Sequence, residues 1–264
     1  MIALSDDIEI AYDETGSGLP VLWVHGFPLN RTFWAPQTRA LYAHARHIAP
    51  DLRGFGGSTV AGPWTMDRYA DDLVALLDLL GIRQAVVAGL SMGGYIALAL
   101  WRRHPTRVRA LVLADTRASA DTAEGREKRQ ALIALAREQG ADAVAEQQIT
   151  GLVGKSTRER QPDLVEQLRL ICASAPVDGI VGATEAMLAR PDSTPTLGTI
   201  TVPTLVVVGE EDTITPPKEA RAMHDAIRSS RLEVIRGAGH VSSFERPSAF
   251  NHVMSEFLAA LTLE

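Results

Sequence analysis

Cysteine is nearly absent: Cys172 is the single one among 264 residues. No internal disulfide is possible, and an oxidising compartment is not required. The helical pattern around Cys172 marks it as a small core residue rather than a nucleophile. A basic run is also absent. Lysine and arginine number 26 against 32 aspartates and glutamates, a formal net charge of −6. That balance argues against nucleic acid as a partner. No apolar run reaches the about 20 residues of a membrane-spanning helix, so no membrane partner is expected. The start, Met1-Ile2-Ala3-Leu4-Ser5-Asp6-Asp7, lacks the basic region and apolar core of a signal peptide. A cytoplasmic location is therefore the expectation. Internal repeats and low-complexity linkers are missing too.

What is present is the composition of a soluble globular protein, 46% hydrophobic and 22% charged. Short apolar runs alternate with helical patterns. Ile8–Asp13 alternates as an early antiparallel strand would. Pro20–His25 is continuously apolar, as for a strand buried on both faces. Arg46–Asp51, Ala85–Ala88, Val108–Ala114, Thr204–Gly209 and Leu232–Ile235 complete the strands. Tyr69, Leu73, Leu76, Leu77 and Leu80 share one helical face, as do Phe250, Val253, Met254, Phe257, Leu258 and Leu261. This alternation predicts an α/β fold with a mostly parallel central sheet and helices on both faces. One segment departs from it. Residues 116–199 carry only helical stretches: Ala123–Gln139, Ala141–Leu152, Thr157–Cys172 and Val177–Ala189. This segment is expected to be a helical cap, inserted into a core domain made of residues 1–115 and 200–264. It contains no Phe, Tyr, Trp or His, so a roof built from it would be aliphatic.

Ser91 lies in Gly89-Leu90-Ser91-Met92-Gly93, a G-x-S-x-G pattern between an apolar strand and a helix. A serine on such a turn projects its hydroxyl out of the fold, and the residues two before and two after it crowd each other. A serine hydroxyl needs a base, and the base needs an orienting acid. His240, in Gly237-Ala238-Gly239-His240 after the last strand, is placed to be the base. His44, His104, His224 and His252 fall in or at the ends of helical patterns and read as surface residues; His47 sits in a strand, and His25 reads as structural. Asp212, in Gly209-Glu210-Glu211-Asp212 and followed by Pro216-Pro217, is the candidate acid. Asp115, which also ends a strand, could supply the acid from the other side. Glu210 and Glu211 read as solvated loop acids. The backbone N–H groups of Met92 and Phe27 are the candidate oxyanion donors. Phe27 and Trp34 are candidates to line the substrate pocket. Arg117, Arg126 or Arg129 could meet a substrate carboxylate, although each reads more simply as a surface residue. The glycine-rich run Asp51–Ser58 lacks the lysine and spacing of a phosphate cradle and reads as a structural loop, with Asp51 paired to Arg53.

His25-Gly26-Phe27-Pro28, Asp51-Leu52-Arg53-Gly54-Phe55-Gly56-Gly57-Ser58, Gly89-Leu90-Ser91-Met92-Gly93-Gly94, Gly209-Glu210-Glu211-Asp212 and Gly237-Ala238-Gly239-His240 together resemble the α/β-hydrolase fold superfamily. Within it the chain is similar to small bacterial carboxylesterases and to 3-oxoadipate enol-lactonase-like hydrolases. It also resembles the cofactor-free haloperoxidase group around Ser91. The resemblance implies Ser91 as nucleophile, Asp212 as acid, His240 as base, and Phe27 and Met92 as oxyanion hole. It implies a small-molecule ester or lactone as substrate, cleaved without cofactor or metal. Perhydrolysis by the same triad, with peroxide in place of water, is the alternative. A non-catalytic small-molecule receptor is a further one, which an intact triad argues against.

Overall fold

The computed structural model describes residues 1–4 and 7–262, so Ser5, Asp6, Leu263 and Glu264 lie outside the described residues. The apolar runs become the strands β1 (Ile2–Leu4), β2 (Glu9–Gly16), β3 (Pro20–Val24), β4 (Arg46–Pro50), β5 (Ala85–Leu90), β6 (Val108–Ala114), β7 (Thr204–Gly209) and β8 (Ser230–Ile235). They form one sheet in the order β1-β2-β4-β3-β5-β6-β7-β8. Pairing is antiparallel for β1 with β2 and β2 with β4, and parallel from β4 to β8. Sequence periodicity misses β1, because three residues at a sheet edge are too few to show an alternation.

The sheet separates two apolar layers, as the two-residue period of strands requires. Leu22, Val24, Val87, Leu111 and Val206 face the helices α2 (Met66–Leu79) and α3 (Met92–Arg103). Val21, Trp23, Val86, Ala88 and Val112 face the opposite side, covered by α11 (Pro247–Thr262) and flanked by α1 (Ala35–Ala40). Every residue of β5 and β7 is buried. The carboxyl ends of β3, β5, β6 and β7 are thus held from both faces, and the loops beyond them inherit that rigidity.

Between β6 and β7 the chain is helical: α4 (Ala123–Leu152), α5 (Lys155–Arg160), α6 (Pro162–Ala173), α7 (Val177–Ala189) and α8 (Thr194–Leu197). Gly140 interrupts α4 at φ 82°, a left-handed conformation that suits glycine and divides the helix into two segments. The single helix expected over Thr157–Cys172 is instead two. Pro162 has no N–H to continue the helix and starts a new one, after Gln161 in a non-helical conformation. Cys172 is buried in the core, and burial pushes its thiol up to about 12. After β7, α9 (Pro217–Ala226) precedes β8, and α10 (Ser242–Glu245) follows it. Among the described residues no single helix is long and apolar enough to cross a membrane.

The Asp51–Ser58 loop is structural, but its ion pairs differ from expectation. Asp51 pairs with Arg31 and accepts the Gly57 N–H at 2.7 Å. Arg53 turns away to Asp72 on α2, with its Nε and terminal nitrogen each 2.8 Å from a carboxylate oxygen. Two residues apart on a curled loop, Asp51 and Arg53 point in different directions, and long-range geometry chooses their partners. Arg53 and Asp72 are 1% and 4% exposed, so removing Asp72 leaves a buried guanidinium with Asp7, at 3.3 Å, as its remaining carboxylate. Asp72→Ala is expected to lower unfolding free energy by about 3 kcal/mol or more. Asp71→Ala, which removes a partly exposed partner of Arg103 and His104, should cost less than about 1 kcal/mol. Urea titrations of the two variants check this, and equal losses would contradict it.

Candidate active site

Ser91 joins β5 to α3 with φ 52° and ψ −113°. A non-glycine residue there costs about 1–3 kcal/mol and persists only where the surroundings impose it. They do. The Ser91 N–H donates to the Ala114 carbonyl at 2.9 Å, and the Thr116 hydroxyl donates to the Ser91 carbonyl at 2.7 Å. A Cβ added at Gly89 would overlap the Gly93 carbonyl, and one at Gly93 would overlap the Val24 carbonyl. The turn closes this tightly because neither position carries a side chain.

His240 lies on the short loop between β8 and α10. Its Nε2 is 2.8 Å from Ser91 Oγ and its Nδ1 is 2.9 Å from Asp212 Oδ2. A carboxylate only accepts, so Nδ1 carries the proton donated to Asp212, and Nε2 is left to accept from the serine hydroxyl. Asp212 is fixed in turn. Its Oδ1 accepts the Ile214 and Thr215 N–H groups at 2.8 and 2.9 Å, and its Oδ2 accepts the Thr215 hydroxyl at 2.8 Å. Burial favours the neutral forms of both His240 and Asp212, but each charge outweighs it at the other. The Asp212 carboxylate raises the imidazole above its ordinary value, and His240 with Thr215 lowers the Asp212 carboxyl.

Asp115, the rival acid, touches different groups. Its Oδ1 accepts the Gly209 N–H at 2.8 Å, and its Oδ2 accepts the N–H and hydroxyl of Ser242 at 3.1 and 2.6 Å. Fully buried and close to the Asp212 charge, its carboxyl is raised well above the carboxylate range. Of the two candidate acids, Asp212 meets the imidazole, whereas Asp115 ties the loop after β7 to the turn after His240.

Glu211 is not simply a solvated loop acid. It accepts the N–H of Ser156 at 2.8 Å and also the Ser156 hydroxyl. Glu245, on α10, is 2% exposed. Its two oxygens accept the N–H groups of Gly239 at 2.7 Å and Gly154 at 2.9 Å. Thr215 carries a legible signal, a hydroxyl three residues after an aspartate. Glu245 has none, because its partners lie in separate loops.

The loop after β3 packs against the nucleophile turn. A Cβ at Gly26 would lie 3.3 Å from Ser91 Cβ. The Phe27 N–H has no acceptor among the described residues, and Met92 is the first residue of α3, whose N–H lacks an intrahelical partner. Met92 follows Ser91 directly, and Gly26, the neighbour of Phe27, packs against Ser91. His25 is structural: its Nδ1 donates to the Gly26 carbonyl at 2.8 Å and its Nε2 accepts the Leu52 N–H at 3.0 Å. Trp34, expected at the pocket, is instead fully buried in the layer beneath α11. Its ring centroid lies 4.8 Å from that of Trp23 and 6.3 Å from that of Phe250. A ring of that size gains more from this aromatic core than from a wet cleft. Phe27 remains beside the nucleophile turn, its ring edge-on to Phe55. Arg126 donates to the Leu188 carbonyl at 2.7 Å, while Arg117 and Arg129 both pair with Asp121. Among the described residues no cluster of three or more His, Cys, Asp or Glu side chains is disposed to hold a metal ion.

Residues 20–247 match the family model described as the alpha/beta hydrolase fold. A thermophilic esterase from Thermogutta terrifontis, solved with malate bound, is 43% identical. The match covers 96% of this chain and 94% of that one, with a TM-score of 0.94. The enol-lactonase from Burkholderia xenovorans superposes with a TM-score of 0.91 at 30% identity, over 98% of this chain and all of that one. The 3-oxoadipate enol-lactonase 2 of Acinetobacter baylyi is 34% identical over 226 residues, 85% of this chain and 83% of the relative. Esterases and enol-lactonases in one family support ester or lactone hydrolysis. By its sheet order, its strand-to-helix serine turn and the match over most of its length, the chain belongs to the α/β-hydrolase fold family.

Proposed function

We propose that the protein is a serine hydrolase that cleaves carboxylic esters or lactones through an acyl-enzyme on Ser91. The observation that carries this reading is the continuous hydrogen-bonded chain from Ser91 Oγ through His240 to the buried Asp212, with links of 2.8 and 2.9 Å. In the proposed reaction Ser91 Oγ attacks the carbonyl carbon while His240 Nε2 takes its proton. Asp212 stabilises the imidazolium that results. The negative oxygen of the tetrahedral intermediate takes hydrogen bonds from the Phe27 and Met92 N–H groups. As the carbon–oxygen bond breaks, the imidazolium protonates the leaving alkoxide. Water then attacks the acyl-enzyme with His240 again as base, releasing the acid and restoring the serine. In a lactone the leaving oxygen stays tethered to the acyl group, so one hydroxy acid is released.

Ser91→Ala should reduce hydrolysis of p-nitrophenyl acetate on the order of 10,000-fold or more. Near-normal turnover by a correctly folded variant would remove Ser91 from the reaction.

Protonated His240 cannot accept the serine proton, so kcat/KM falls as pH drops through the imidazole's titration. Asp212 holds that titration above the ordinary 6.5. The acid limb of the profile is therefore expected above that value, and in Asp212→Asn it should move down, because the carboxylate that raised it is gone. The same variant should lose about 10,000-fold in kcat. Asp115→Asn should weaken stability but leave kcat/KM within roughly tenfold, since the amide still reaches the two loops. pH–rate profiles of the three proteins read all of this. A larger kinetic loss at Asp115 than at Asp212 would transfer the acid role to Asp115.

A further inference from the structure

The peptide between Ala238 and Gly239 immediately precedes His240, and it is held at both ends. Its carbonyl accepts the Glu211 N–H at 2.7 Å, and its N–H donates to Glu245 Oε1 at 2.7 Å. The two polar groups of a planar peptide point opposite ways, so a bond at each end fixes its rotation. Glu211 is the residue before Asp212, and Gly239 is the residue before His240. The peptide is therefore a strut between the loops of the candidate acid and the candidate base. It has no room to shift: a Cβ at Gly209 would overlap the Gly239 carbonyl oxygen, and one at Gly239 would overlap the Gly154 nitrogen.

One end of this strut depends on a single side chain. Glu245 closes the one-turn helix α10 and is buried. Its second oxygen accepts the Gly154 N–H at 2.9 Å. Both oxygens thus face N–H donors, and the Thr157 hydroxyl beside them also favours the charged form. An ionised carboxylate satisfies that set. A glutamine would not, because its amide nitrogen would meet one of the two N–H groups. Glu210 makes a similar contact on the same loop, accepting the Gly237 N–H at 3.0 Å, but it is exposed.

We propose that Glu245 is the positioning residue of the base: by fixing the Ala238–Gly239 peptide it holds the His240 imidazole between Ser91 and Asp212. The proposal rests on the ester-hydrolase reading above. The Glu245 charge has a second effect. Three carboxyl groups face the imidazole, Asp212 in contact and Asp115 and Glu245 through space. Arg246 and Thr157 face Glu245 in turn, and Glu211 lies across Gly154 from it. Removing the Glu245 charge leaves the imidazolium less favoured, so His240 gives up its proton at lower pH.

Glu245→Gln is expected to lower kcat for p-nitrophenyl acetate on the order of 10- to 100-fold per active site, with KM within about threefold. Active sites are counted by reaction with a serine-directed phosphonate, so unfolded protein does not enter the rate. The acid limb of kcat/KM should move to lower pH. Glu245→Asp keeps the charge but is too short to span both N–H groups. Its kcat should fall while its acid limb stays nearer that of the wild type. Glu210→Gln should change neither. Fewer active sites in Glu245→Gln, each with unchanged kcat and an unmoved acid limb, would make the residue purely structural and overturn the proposal. Failure of both Glu245 variants to fold would overturn it too. A wild-type protein that neither hydrolyses the ester nor reacts with the phosphonate at Ser91 would instead count against the hydrolase reading.

Discussion

The carboxyl end of β6 is where the site is held together. Three successive residues there reach all three loops of the candidate triad. The Ala114 carbonyl and the Thr116 hydroxyl bind the backbone of Ser91. Asp115, between them, binds Gly209 at the start of the acid loop and Ser242 just after His240. Ser91 and Asp115 are also the two non-glycine residues with positive φ among the described residues, at 52° and 45°. Two adjacent strands thus end in strained conformations that brace each other. Neither would survive alone, because each costs a noticeable part of a marginal stability. The strain is carried by β5, β6 and β7, whose walls of buried valine, leucine and alanine leave the strand ends little freedom.

That arrangement also divides the labour of two buried carboxylates. Asp115 and Asp212 lie close enough that each disfavours ionisation of the other. Asp212 has the compensating cation, His240, and three hydrogen bonds from its own turn, so it keeps its charge. Asp115 has neutral partners only, and burial with the Asp212 charge pushes its carboxyl up. Asp212 polarises the imidazole through Nδ1, whereas Asp115 bonds to neither ring nitrogen.

Much of this was legible from local sequence. The Ser91 turn announces itself through glycines whose spacing is dictated by steric contact, and His240 through its place just beyond a strand. Asp212 reads ahead of Asp115 on the tight loop closed by Pro216-Pro217, although both follow strands. Their difference lies in where the carboxylate points, which depends on the turn through Thr215 and on tertiary contact with Ser242. Trp34 shows the opposite failure. Its nearness in sequence to the Phe27 loop suggested the pocket, but the sheet lies between the two layers of side chains, and the ring went to the far one. Glu245 and Asp72 were silent for a shared reason. Each acts on a backbone or charge supplied by a distant segment, and a single acidic residue in a helix carries no trace of that.

The helical segment between β6 and β7 is fixed at two places with different consequences. At one end Glu211 holds Ser156, and Glu245 holds both Gly154 and Gly239. The acid loop and the base loop therefore grip the same turn, Gly154–Ser156. A Cβ at Gly239 would overlap the Gly154 backbone, so the contact has no slack. This turn therefore touches the residue before Asp212 and packs against the residue before His240. Elsewhere the segment is closed on itself by charge. Asp121 gathers Arg117 from the segment's entrance, Arg129 from α4 and Arg190 from its exit. Charge pairs tolerate small changes of angle and distance that a backbone contact at van der Waals limit does not. The turn beside Asp212 and His240 is thus set by backbone contact, whereas the entrance and exit of the helical segment are tied to each other by charge.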